Sequence, residues 1–197
     1  MAEMNDSFNE VTAEMLKVIS DYDSVTGFQG AYNIRQDSMC AGRKNSENIT
    51  IESKTDKPGI NIRIKPGTKG ETVYIPACVT HSNVDDLVYN DFFIGEGADV
   101  TIVAGCGVHS DGSETARHNG IHRFFLEKGA KVLYKEKHIG TGKGTGLRRI
   151  DPVTDAYLKE DSYLEMDTVQ LRGVDRTTRS TSAVLDKGAK VVVRERI

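Results

Sequence analysis

The sequence predicts a mainly β protein, a parallel β-helix solenoid with one short helix near its N-terminus. Three observations carry this. From Ile49 onward apolar and polar residues alternate, the period of strands with one buried face. A motif recurs at near-constant spacing with no helical pattern between its copies. Nineteen glycines against four prolines suit many short strands joined by tight turns.

In chain order, "DSFNEVTAEMLKVISDY" reads as a helix, with Phe8, Val11, Met15, Val18 and Ile19 on one face. Ser7 with Glu10 three residues on has the form of a capping box. Residues 20–48 are polar, irregular and punctuated by glycine, a connecting arm with one or two short strands. The chain therefore divides into a helix and arm, 1–48, and a β core, 49–197. In "GINIRIKPG", Ile60, Ile62 and Ile64 alternate with polar residues, and Val73 and Ile75 do so in "GETVYIPACV".

The repeat follows in "FFIGEGADVTIV", "FFLEKGAKVLYK" and "SAVLDKGAKVVV", with a degenerate copy in "AYLKEDSYLEMD". Each copy has an apolar run, a turn centred on Gly or Asp, a small residue and an alternating strand. The small residues are Ala98, Ala130, Ser162 and Ala189, spaced by 32, 32 and 27. Two and four residues later come the apolar pairs Val100 and Ile102, Val132 and Tyr134, Leu164 and Met166, and Val191 and Val193. Stacked coils place such equivalent residues above one another, each coil burying its inner face against its neighbours. A β-sandwich is the competing architecture, but nothing in it would keep the Gly-Ala turn at this spacing. The final "VVVRERI" falls within a strand pattern, so the expectation is that another subunit or further coils cover this end.

Composition narrows the function. With 197 residues, 38% hydrophobic, the chain is long enough for one domain with its own core. The net charge of −3 comes from 26 basic and 29 acidic residues, interleaved; no basic field gathers nucleic acid or anionic lipid. The acidic start "MAEMNDSFNE" argues against a signal peptide, and no stretch approaches the ~20 apolar residues of a membrane helix. A cytoplasmic protein is expected. Cys40, Cys78 and Cys106 are widely spaced, which fits reduced thiols and excludes a four-cysteine zinc knuckle.

"AGCGVHSDGSETARHNGIH", residues 104–122, is the most chemically loaded stretch. Gly105 and Gly107 leave Cys106 unhindered on what reads as a tight bend. His109, His118 and His122 are candidates to support its thiolate, the nucleophilic form. With Cys106 they offer one sulfur and three nitrogens to a metal. Asn119-Gly120 reads as a turn. Against these stands the plainer reading, a small buried residue in a tight turn, since free cysteine packs as a hydrophobe. His81 and His138 stand alone at strand ends, Cys78 reads as core, and Cys40 lies in the polar arm. "GTGKGTG" lacks the Lys-Ser/Thr and following helix of a phosphate loop and reads as a mobile inter-coil loop. "RGVDRTTRSTS" reads as a solvated strand face. No Ser-His-Asp order with a nucleophile elbow is visible.

The blocks "LVYNDFFIGEGADVTIVAGCGVHSDG", "GIHRFFLEKGAKVLYKEKHIGTGKGTG", "DPVTDAYLKEDSYLEMDTVQLRGVDRTTRSTSAVLDKGAKVVVRERI" and "FQGAYNIRQDSMCAGRKNSENITIESKTDKPGINIRIKPG" together resemble the SufB/SufD family, most closely its short SufB-like members. The resemblance implies a right-handed parallel β-helix and a non-enzymatic scaffold for iron–sulfur cluster assembly. It implies an ABC-type ATPase subunit, a second SufB/SufD-like subunit and a persulfide-delivering sulfur donor as partners. The cluster would be transient in the complete complex, with none held tightly by this chain. "TIVAGCGVHSDG" is similar to the family segment whose cysteine receives sulfur, which makes Cys106 the acceptor candidate. Family members continue with further coils, a cluster-holding cysteine and a helical region that docks the ATPase; these lie beyond the 197 residues. A partner-binding structural solenoid is the alternative. A carbohydrate-active β-helix enzyme is a weaker one, because such enzymes usually show a secretion signal and an aromatic, carboxylate-lined groove, which neither the N-terminus nor the 7% aromatic content favours.

Overall fold

A computed structural model describes residues 7–197. The acidic opening, residues 1–6, and with it Asp6 at the head of the expected helix, lies outside the described residues.

One helix, α1 (Glu10–Ile19), precedes fifteen strands: β1 (Ala31–Gln36), β2 (Met39–Lys44), β3 (Ile49–Ser53), β4 (Gly59–Ile64), β5 (Lys69–Val79), β6 (Asp85–Ile94), β7 (Asp99–His109), β8 (Ala116–Leu126), β9 (Lys131–Thr141), β10 (Arg148–Ile150), β11 (Val153–Leu158), β12 (Tyr163–Arg172), β13 (Arg176–Thr177), β14 (Ser180–Leu185) and β15 (Lys190–Arg196). From β4 to β9 successive strands alternate between two sheets. One runs β15-β12-β9-β7-β5-β1-β2; the other runs β13-β10-β8-β6-β4-β3, with β11 and β14 extending it beside β8. From β4 onward every ladder is parallel except β3 on β4, so the chain winds as a β-helix.

The repeat read in the sequence is the coil. Val100 pairs with Val132, Val132 with Leu164, and Leu164 with Val191. Ile102, Tyr134, Met166 and Val193 form the parallel row. Val100, Val132 and Leu164 are buried in one core with Phe92, Phe124 and Ala156, and Val191 packs on its end. The turns explain the Gly or Asp before each small residue: Gly97, Gly129, Asp161 and Gly188 have φ of 64°, 65°, 57° and 73°, the left-handed region that glycine enters freely and aspartate tolerates. Each of these corners hydrogen-bonds to the next, Gly97 N to Lys128 O and Gly129 N to Glu160 O.

The arm contributes to the solenoid. β1 and β2 form an antiparallel hairpin, and β1 pairs with β5 in parallel. Two helix expectations need correcting. The N-cap is Asn9, whose Oδ1 accepts from Thr12 N at 2.9 Å; Ser7 instead donates its N–H to Ala41 O. The buried face is Thr12, Met15, Leu16 and Ile19, with Val18 exposed, because the helix lies on β5, β7 and β9 and Thr12 Oγ1 reaches Gln36 Oε1. "GTGKGTG" does join successive coils. It stacks on the preceding loop, Gly144 N and Gly146 N donating to Ser110 O and Gly112 O at 2.9 Å each. Among the described residues no helix is long and apolar enough to cross a membrane.

Candidate functional site

Strand alternation points Val100, Ile102, Ala104, Cys106 and Val108 to the inside of the coil. On β9 the matching inward row is Val132, Tyr134, Glu136, His138 and Gly140, in register with it. The interior thus changes character along the strands: apolar near the Gly-Ala corners, then polar, then apolar again where Cys106 packs with Val79, Val108, Ala116 and Ile150. Cys106, Glu136, His138, His118, His122, Asp86 and Asn90 are all buried in this interior.

Cys106 therefore lies within a strand, with its thiol facing inward and 4% of the residue exposed; the expected uncrowded bend is not present. The flanking glycines face outward and serve α1. A Cβ on Gly105 would stand 2.5 Å from Ile19 O and 2.6 Å from Ile19 Cβ. One on Gly107 would meet chiefly Met15 Sδ, a side chain that can move. Gly105→Ala is accordingly expected to cost about 1–3 kcal/mol and to expose residues 7–19 to limited proteolysis, while Gly107→Ala costs clearly less. Denaturant unfolding of the two variants checks the difference.

The three predicted histidines separate. His109 bonds Thr141 Oγ1 through Nδ1 at 2.9 Å, away from the buried cluster. Asn119-Gly120 is not a turn but the middle of β8, and the strand carries both remaining histidines inward. His118 Nδ1 donates to Asp86 Oδ2 at 3.0 Å, and Arg35 reaches the same carboxylate at 2.6 Å. His122 joins a second chain. Tyr134 donates its hydroxyl to Glu136 Oε1 at 3.0 Å, so His122 Nδ1–H donates to Tyr134 Oη at 2.9 Å, and Asn90 Nδ2 donates to His122 Nε2 at 3.3 Å. The four-ligand set of Cys106, His109, His118 and His122 is not assembled. His118 and His122 do share with Cys106 the wall of a cavity of about 20 Å³, also lined by Asn90, Arg35 and Ala77, room for one water-sized species. Asn90 Oδ1 is buried without a hydrogen-bond partner.

The neighbours that sequence reasoning missed come from β9. His138 stands beside Cys106 in the ladder and is 1% exposed, not an isolated strand-end residue. Ligand atoms of Cys106, Glu136 and His138 lie within 4.8 Å of one another. Glu136 also accepts from Thr168 at 3.5 Å and from Arg179 at 3.1 Å. Arg179 is thus not part of a solvated face; it bridges Glu136 to Glu195, 3.0 Å from its Nε. His138 Nε2 approaches Glu136 Oε2 to 3.3 Å, but the angle makes no hydrogen bond and Nε2 has no other partner. The signal that would have found His138 was the repeat: residue 106 advanced by one 32-residue coil is residue 138.

Burial works against charge on Glu136, yet His138 and Arg179 hold its carboxyl well below the usual range. Burial, then the charge of Glu136, pushes the Cys106 thiol well up. Burial lowers His122 to about 4, so it is neutral at pH 7. Cys78, under α1, is pushed up to about 12 by burial. All three cysteines are free.

Sequence comparison adds an independent line. The chain is 32% identical over 89 residues to an iron-sulfur cluster assembly SufBD family protein of Methanothermobacter thermautotrophicus (strain Winter), covering 44% of this chain and 21% of that one. It is 33% identical over 98 residues to an iron-sulfur cluster assembly SufBD family protein of Archaeoglobus fulgidus, covering 49% and 26%. The matched segments thus span about a fifth to a quarter of these relatives. No family model and no solved structure matches the chain.

Proposed function

We propose, on the premise that this chain belongs with the SufB/SufD family, that it is a scaffold component of iron–sulfur cluster assembly in which Cys106 accepts persulfide sulfur. One observation carries the sulfur role: the thiol faces inward beside a histidine nitrogen with no hydrogen-bond partner and a cavity of atomic size. The names of the relatives support the assembly role.

The thiol is protonated in its buried setting, so acceptance begins with its proton passing to His138 Nε2. The Cys106 sulfur attacks the outer sulfur of a donor persulfide. The donor S–S bond breaks, its inner sulfur leaves as a thiolate, and that thiolate takes the proton back from His138. Cys106 is left as a persulfide and the donor as a thiol, with no net oxidation. The chain acts as a scaffold, and ATP hydrolysis belongs to an ABC-type ATPase partner working with a second family subunit in the cytoplasm. Iron and sulfide are the cargo.

Treating the reduced protein with a sulfane-sulfur donor and mapping persulfide by mass spectrometry tests the site. Label is expected on Cys106 and absent from Cys106→Ala. His138→Gln is expected to slow its appearance about 100-fold, roughly the low end of what one proton-transfer group supplies. Equal labelling of Cys106→Ala, or label confined to Cys40, removes Cys106 from the reading and leaves a structural solenoid. Co-purification of an ABC-type ATPase with the protein expressed at its natural length tests the partner.

A further inference from the structure

We infer that Cys106, Glu136 and His138 form a binding site for a single divalent metal ion of the zinc, cobalt and ferrous class. The site does not depend on sulfur acceptance.

The donor set argues for that class. One thiolate, one imidazole and one carboxylate are the soft and intermediate ligands that these ions prefer over calcium or magnesium. Three protein ligands leave a fourth position for a water or another small group. The three ligand atoms already lie within 4.8 Å of one another. Closing on a metal with bonds of about 2.0–2.3 Å needs contraction of the cluster, in which Cys106 and His138 already stand side by side as register partners on adjacent strands.

A second observation comes from His138 itself. Its Nε2 is buried, has no hydrogen-bond partner and is directed at the Glu136 carboxylate. An unpaired buried nitrogen is destabilising, and a metal ion removes that cost by taking its lone pair. The surrounding chain is arranged for it: Tyr134 Oη holds Glu136 Oε1 at 3.0 Å, orienting the carboxylate from behind, as second-layer groups do at metal sites.

Charge also balances. Binding releases the thiol proton, so thiolate and carboxylate offset the two positive charges of the metal. Arg179 then retains Glu195 as its counterion at 3.0 Å. Arg179 is the only one of these groups that is both bonded to Glu136 and partly open to solvent, at 16% of its side chain. Shortening it would open the cluster further to solvent.

Cobalt(II) titration of chelator-treated, reduced protein tests the site, in a Cys40→Ser background that removes the most exposed thiol. One equivalent is expected to produce a sulfur-to-cobalt charge-transfer absorption with the intense visible bands of tetrahedral cobalt. Cys106→Ser is expected to lose the charge-transfer band. His138→Gln is expected to weaken affinity at least 10-fold, roughly the smallest loss seen when even an outer-layer partner is removed. Arg179→Gln is expected to bind faster. Circular dichroism of each variant confirms folding. Should a variant fail to fold, zinc protection of Cys106 against maleimide, read by mass spectrometry in the unsubstituted protein, decides instead. Absence of the band in the Cys40→Ser protein, its persistence in Cys106→Ser, or no zinc protection overturns the proposal. Persulfide mapping on metal-free protein is read separately, so failure of one reading does not stand for failure of the other.

Discussion

Asp86→Asn is expected to cost about 3–5 kcal/mol of folding stability at pH 7, the range for removing one partner of a buried ion pair. The Asp86 side chain has no solvent exposure and meets Arg35 at 2.6 Å and His118 at 3.0 Å. An amide keeps the shape and removes the charge, leaving the Arg35 guanidinium, 13% exposed, without its counterion. Burial alone would raise the Asp86 pKa, but the bonds from His118 and Arg35 outweigh it and hold the carboxyl far below the ordinary 3.8. The sign follows from this depression. The stabilisation is complete above pH 3.8 and is lost as pH falls from there through the folded-state value. The gap between wild type and variant should therefore be full at pH 7 and narrow below about pH 4. Urea unfolding at pH 7 and pH 3 checks both parts. A loss under about 1 kcal/mol at pH 7, the scale of a surface pair, would show that the site is far wetter than its burial indicates.

Phe124→Ala is expected to be as damaging for the opposite reason, costing about 3–5 kcal/mol with no pH dependence of its own. Phe124 is fully buried, stacked on Phe92 with centroids 4.5 Å apart and planes 5° from parallel, and edge-on to Tyr134 at 5.2 Å. Alanine already occupies the next position of this row, at Ala156, so the neighbouring coil has no large side chain to lean into the void. Denaturant unfolding at neutral and acid pH separates the two variants: one penalty shrinks with acid and the other persists.

These two positions mark the boundary of what was legible in the sequence. The apolar half of the interior was readable, because alternation and the 32-residue return of Val100 in Val132 and Leu164 depend only on local pattern. The polar half used the same arithmetic, since Asp86 to His118, Asn90 to His122 and Glu136 to Thr168 are also 32 apart, but polar residues carry no periodic signature that draws the eye. Local turn chemistry misled twice. Gly-Cys-Gly looks like a bend when its glycines make room for α1, a contact that requires the assembled fold. Asn119-Gly120 carries the commonest hairpin signal yet runs straight through β8, paired on one side with Leu87 and Val88 of β6 and flanked on the other by the ends of β10 and β11. Arg179 was illegible for a further reason: it reaches Glu136 across 43 residues, a separation that is no multiple of the coil.

The placement of Arg179 has a consequence for the growing chain. Synthesis runs from the N-terminus, and upstream segments start to fold before downstream ones exist. Once β9 has emerged, Cys106, Glu136 and His138 are all present, while the guanidinium that will shut them in has yet to be made. During that interval the sulfur and carboxylate lack the cover that Arg179 later gives them.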